Sequence, residues 1–172
     1  MIRFKEKKIQ GKRPNKGRIG LSFTIFVIRD GELFGSELPQ TAEDFEKIKA
    51  LRIKVIISLA EEINIVKSQI NFTKDFEHYE LFIEDYTTPT PAQVKRFLEI
   101  LKEKKREQKA VLVHCIGGCG RTGLMLALAE RFLYNVFDGK KSIAKIREIR
   151  SCALETPEQE EFVINFDLDG FS

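Results

Sequence analysis

The chain has 172 residues, long enough for one domain whose core needs no staples. It is 42% hydrophobic and 32% charged, with a net charge of only +3, a composition ordinary for a water-borne fold. Its longest apolar runs, such as IKVIIS and AVLV, are far too short to span a bilayer, and no charged-then-apolar leader precedes a cleavage site, so neither membrane insertion nor export is expected.

Residues 1–21 form a basic arm. Its first twenty positions hold eight Lys or Arg (Arg3, Lys5, Lys7, Lys8, Lys12, Arg13, Lys16, Arg18) against one acid, Glu6. Such an arm suits a solvated terminus, or contact with nucleic acid or another anionic partner. Residues 22–172 then read as a single domain. SFTIFVI (22–28) and ELFGSE (32–37) flank the turn RDG and predict a strand pair. Thr41 with Asp44 predicts a capping box, opening a helix with Phe45, Ile48 and Leu51 on one face. IKVIIS (53–58) reads as a buried strand, EEINIVKSQI (61–70) as a short helix and HYELFI (78–83) as a further strand. The loop EDYTT ends at Pro89. Thr90-Pro91-Ala92-Gln93 then supplies the cap, the N1 proline and the N3 glutamine of a helix running to about Glu107.

AVLVH (110–114) is expected to be the last strand. A helix from Thr122 to about Val136 follows, broken at Phe137-Asp138-Gly139, and another over 140–150 aligns Ile143, Ile146 and Ile149. Thr156-Pro157-Glu158-Gln159 repeats the T-P-x-Q start and opens the final helix. Apolar strands alternating with amphipathic helices predict an α/β fold with a mainly parallel sheet.

The most informative stretch is VLVHCIGGCGRTG, Val111 to Gly123. GCGRTG matches the G-x-G-x-x-G of dinucleotide-binding turns. That reading needs a second strand carrying a ribose-binding acid, and the corresponding region is the helical KSIAKIREIR. A nucleoside-triphosphate loop is excluded too, because no Gly-Lys-Ser/Thr is present. The alternative is a cysteine at a strand end, followed by a loop of amides and an arginine at a helix start. The N–H groups of Ile116, Gly117, Gly118, Cys119 and Gly120, with the helix N-terminus, make an anion site suited to phosphate. Arg121 adds a planar fork for two phosphate oxygens. The same positive field favours a thiolate at Cys115, to which the Thr122 hydroxyl can donate. His114 either orders this loop by hydrogen bonding or is a satisfied strand-end histidine. Cys119 reads as a small loop residue or as a redox partner of Cys115, while Cys152 and His78 carry no chemical signal. Three cysteines, an odd number, argue against a disulfide framework and point to a reducing compartment, with the cytoplasm as the expected location.

HCIGGCGRTG resembles the H-C-x-x-G-x-x-R-[ST] signature of the protein tyrosine phosphatase superfamily at His114, Cys115, Gly118, Arg121 and Thr122. IEDYTTPT (83–90) resembles the general-acid loop of small dual-specificity phosphatases, and IISLAEE (56–62) the strand and turn before it. IREIRSCALETPEQEEF resembles their I-R-x-x-R-P-G-x-I-E-T-x-E-Q segment, with Ser151-Cys152 in place of Pro-Gly. The similarity spans roughly residues 24–168 and is strongest to compact atypical dual-specificity and archaeal-type phosphatases.

The resemblance implies a cysteine phosphatase fold and a catalytic domain over 22–172, with neither cofactor nor metal. It also implies roles: Cys115 as nucleophile, Arg121 as phosphate clamp, Asp85 as general acid and then base, and Thr122 beside the thiolate. Gln159 either places the hydrolytic water or only closes a capping box with Thr156. The implied partners are phosphoproteins, phosphotyrosine first, with phosphoserine and phosphothreonine admitted by a shallow pocket. The signature loop has no Lys or Arg between Cys115 and Arg121, which argues against inositol phospholipids. Two alternatives are an RNA 5′-triphosphatase, with RNA held by the basic arm, and a non-catalytic phosphoprotein-binding domain. The second requires broken chemistry, and Cys115, Arg121 and Asp85 are all present.

Overall fold

In a computed structural model the described residues are 22–169, so the basic arm expected over 1–21 lies outside them. A hairpin comes first, β1 (Ile25–Arg29) and β2 (Leu33–Ser36), joined through the RDG turn. The helix α1 (Ala42–Ala50) leads to β3 (Ile53–Ser58), and α2 (Ile63–Gln69) with a short 3-10 turn at Phe72–Lys74 leads to β4 (Glu77–Glu80). The long α3 (Pro91–Arg106) returns the chain to β5 (Ala110–His114), after which the described residues form three helices, α4 (Gly120–Leu133), α5 (Gly139–Ile149) and α6 (Pro157–Asn165).

Among the described residues the sheet has the order β1-β2-β5-β3-β4, with only the β1–β2 pair antiparallel. A mainly parallel α/β sheet is therefore present, as the alternation of elements predicts. Its three central strands, β2, β5 and β3, are buried on both faces, whereas β1 is buried only at alternate positions and β4 is partly exposed. Val55, Ile57, Val111 and Val113 join one core with α3, α4 and α5, while Ile53, Ile56, Ala110 and Leu112 join a second core with Phe45, Ile48 and Phe72. From β3 the chain steps outward to β4 and then comes back to β5, which lies between β2 and β3. In open α/β sheets, ligands bind at the carboxyl ends of strands where the winding reverses. The carboxyl end of β5 leads straight into HCIGGCGRTG.

Local signals placed most elements. The Thr41–Asp44 and Thr90–Gln93 capping boxes both form, and Asp138 caps α5 through its bond from the Lys141 N–H. Several boundaries differ from expectation: β1 starts at Ile25 rather than at Ser22, and two further differences have a local cause. The strand expected over 78–83 is β4, Glu77–Glu80, because its partner β3 ends at Ser58. The N–H groups of Leu81 and Ile83 still bond to the carbonyls of Ser58 and Leu59, so the segment stays tethered without being a strand. The helix expected from Thr122 to Val136 is α4, Gly120–Leu133: its ladder already engages the Gly123 N–H with the Cys119 carbonyl, and Asn135 takes a left-handed φ of 61° beyond its end.

A larger correction concerns the cysteines. Cys119 and Cys152 form a disulfide, and Cys115 is free and buried. The odd count hid this pair, because the third thiol stays free and 33 residues separate the bonded two. Cys119 is neither a bare loop residue nor a partner of Cys115. The cysteine count therefore no longer supports a reducing compartment. Among the described residues no helix is long and apolar enough to cross a membrane.

Candidate active site

The loop Cys115–Gly120 leaves β5 and enters α4 without a spacer. Cys115 continues the strand alternation of Val111 and Val113, which buries its side chain on the α3–α4 side of the sheet. Gly118 sits at φ +67°, and a Cβ there would lie 2.7 Å from the Ser36 carbonyl oxygen, so the loop passes over β2 only with glycine. At Gly123 a Cβ would come within 2.7 Å of the Ala153 side chain, which lets the first turn of α4 settle onto residues 153–154.

Arg121 is 4% exposed. Its Nη1 donates to the Ile83 carbonyl at 2.8 Å, and its Nη2 lies 3.2 Å from Asp85 Oδ1. Among the described residues, the Nε of Arg121 and the Oγ1 of Thr122 are buried with no hydrogen-bond partner. Buried polar groups left unpaired in the first turn of a helix are costly unless a ligand completes them. Asp85 is about half exposed, and one carboxylate oxygen also accepts the Tyr86 N–H at 3.0 Å. Tyr86 holds a left-handed φ of 61°, which turns the loop back at its tip.

Three segments are stitched together around this loop. Gln159, fully buried, accepts the Glu155 N–H on Oε1 at 2.7 Å and donates from Nε2 to the Thr87 carbonyl at 3.2 Å. Its backbone N–H is capped by Thr156, but its side chain leaves the capping box open and joins the Asp85 loop to the α6 start instead. Glu155 Oε1 accepts the Gly120 N–H at 2.9 Å, so of the loop amides expected to meet phosphate, that of Gly120 is already engaged. Arg150 Nη2 donates to the Gly117 carbonyl at 2.9 Å, and the Leu38 N–H donates to the Ile116 carbonyl at 2.9 Å. With those carbonyls turned toward Arg150 and Leu38, the loop carries its acceptors on the side bonded to the protein. Arg147 holds the carbonyls of Ala153 and Leu154, and the Leu154 N–H donates to the Cys119 carbonyl beside the disulfide.

His114 is completely buried, and burial pushes its imidazole down to about 4, so the ring is neutral near pH 7. Its Nδ1 is 2.9 Å from the Cys115 carbonyl oxygen. Of the two readings open for His114, the loop-ordering one has the geometry. Arg150 and Glu155 were not singled out by residue-by-residue reading. The signal that could have found them was the matched I-R-x-x-R and E-T segment, where both occupy fixed positions. Cys152 had no such signal, since the related segment carries Gly there.

A family model described as PTP-SAK, Swiss Army Knife protein, DSP-PTPase phosphatase domain, matches residues 23–163. Uncharacterized protein MJ0215 of Methanocaldococcus jannaschii is 42% identical over 86 residues, covering 49% of this chain and 51% of that protein. Human dual specificity protein phosphatase CDC14A is 34% identical over 116 residues, 67% of this chain but 18% of that one. The chain thus spans about half the length of the first and under a fifth of the second. Among solved structures, Tk-PTP in its active form superposes with a TM-score of 0.66 at 26% identity, over 77% of this chain and 88% of that one.

Proposed function

Because the chain belongs to the PTP-SAK family of DSP-PTPase phosphatase domains, we propose that it hydrolyses phosphotyrosine in proteins through a cysteinyl-phosphate intermediate. The observation that carries this reading is the buried, unpartnered Nε of Arg121 in the first turn after the Cys115 loop, a donor waiting for an oxyanion. In the first step the Cys115 thiolate attacks phosphorus, the P–O bond to the leaving group breaks, and Asp85 gives that oxygen its proton. Arg121 and the free loop amides hold the equatorial oxygens, where charge is concentrated in transfer. As Arg121 turns to phosphate, its contact with Asp85 loosens and the carboxyl is released to the leaving group. In the second step water attacks phosphorus, the S–P bond breaks, and Asp85 takes the water's proton. The unpartnered Thr122 hydroxyl donates to the thiolate that leaves. Gln159, bonded to the Asp85 loop and the α6 start, is suited to placing the water. Protein donors and a thiolate supply the chemistry, so turnover should survive a chelator.

Tyr86 beside Asp85 and Ile116 beside Cys115 are 62% and 40% exposed. Apolar surface next to both catalytic positions favours an aryl phosphate over a short alkyl one. Phosphoproteins are the proposed partners. The test compares a phosphotyrosine peptide, a phosphoserine peptide and triphosphorylated RNA under one set of conditions, with and without Cys115→Ser. Phosphotyrosine should be the best substrate. Cys115→Ser should cut its turnover on the order of a thousandfold or more while phosphate still binds. Release of γ-phosphate from RNA as the dominant activity would replace this reading with the triphosphatase one.

A further inference from the structure

A row of three polar side chains crosses the sheet on the α1 side, one each from β5, β3 and β4. His114 Nε2 lies 2.6 Å from Ser58 Oγ, and Ser58 Oγ lies 2.8 Å from His78 Nε2. Strand register brings Ser58 opposite His114 and sets His78 opposite Ile56, two residues back along β3. His114 and Ser58 are fully buried, and the His78 side chain is 6% exposed, its ring edge-on to Phe72.

One carbonyl fixes every proton in this row. The Cys115 carbonyl oxygen can only accept, so His114 carries its proton on Nδ1. A neutral ring then has a bare Nε2, which must accept from the Ser58 hydroxyl. With its single proton spent, Ser58 Oγ must accept from the Nε2–H of His78. The outer nitrogen of His78 is left facing Glu80, 3.8 Å away, so the donor toward Ser58 persists whether or not His78 is protonated.

We propose that Ser58 and His78 are positioning residues for phosphoryl transfer, acting through His114 to fix the peptide that follows Cys115. Neither touches substrate. Their donors lock the His114 tautomer, its Nδ1–H holds the Cys115 carbonyl back into the sheet, and the next N–H groups are thereby turned toward the thiolate. The inference rests on the cysteine phosphatase reading for its kinetic consequence. It does not rest on it for its effect on the thiol.

The test uses the oxidised protein, in which Cys115 is the free cysteine, and measures its alkylation rate by iodoacetamide against pH alongside steady-state kinetics. Ser58→Ala should lower kcat about tenfold with KM little changed, the scale of losing one bond to a buried group. The alkylation midpoint should also move to higher pH, and Ser58→Thr should restore both. His78→Phe, a change nearer the sheet edge, should move both readouts the same way by a smaller factor, and His78→Gln should recover them. An unmoved alkylation midpoint in Ser58→Ala or, should that variant not fold, in His78→Phe overturns the proposal. So does a kcat loss that Ser58→Thr shares in full. If Cys115→Ser keeps full turnover, the phosphatase reading fails instead, while the alkylation midpoints still decide the relay.

Discussion

Two helices of this chain begin with the same pattern, Thr-Pro-x-Gln, and the two glutamines end in different places. At α3 the box closes: Gln93 Oε1 accepts the Thr90 N–H at 2.9 Å and the Thr90 hydroxyl accepts the Gln93 N–H. Its amide nitrogen reaches the Phe82 carbonyl at the base of the Asp85 loop, 11 residues back. At α6 only the hydroxyl half forms. Gln159 reaches past Thr156 to the Glu155 N–H and, across 72 residues of chain, to the Thr87 carbonyl. The first glutamine is half-buried: it closes its own cap and adds one bond to the segment just before the Asp85 loop. The second is fully buried, and the nearest unsatisfied groups belong to other segments. A capping pattern thus specifies a helix start in both places, while burial decides what the side chain does.

The comparison can be broken by substitutions whose expected effects on turnover run from large to negligible. Asp85→Asn, in the loop both glutamines hold, should lower turnover of an aryl phosphate on the order of a hundredfold or more and flatten one limb of its pH profile. If Glu84→Gln does so instead, the acid has been placed one residue off. Gln159→Ala should cost about tenfold, because a buried amide with two partners is lost beside the Asp85 loop.

Cys152→Ser should change turnover only a few-fold, since Glu155, Arg150 and Leu154 still hold the signature loop. It should nonetheless lower unfolding free energy by roughly 3–4 kcal/mol, the chain-entropy scale for cysteines 33 residues apart. Thermal melts with and without reductant would show it, and coincident curves would refute it. Gln93→Ala should leave turnover within about twofold and cost about 1 kcal/mol of stability, the usual loss of a cap. Equal kinetic losses in Gln93→Ala and Gln159→Ala would erase the distinction between the two helix starts.

Much of the candidate site is legible in the sequence because its parts are contiguous. Cys115, Arg121 and Thr122 lie within eight residues, and strand, loop and helix start fix their relative positions through backbone geometry alone. The glycine run could be told from a nucleotide turn because a missing second strand is itself a sequence property. The helix caps were legible for the same reason, since a cap is a bond between residues three apart.

What only the tertiary structure decided is contact between segments distant in sequence. The Cys119–Cys152 disulfide, the Glu155 grip on the Gly120 N–H and the reach of Gln159 to Thr87 each need the segment from the end of α5 into α6 folded back against loops distant in sequence. The His78–Ser58–His114 row exists because three parallel strands lie side by side in an order the chain does not follow. Periodicity records which face of an element is buried. It carries no record of which neighbour is met there, and polar groups sealed in a core take whatever partner packing brings within reach.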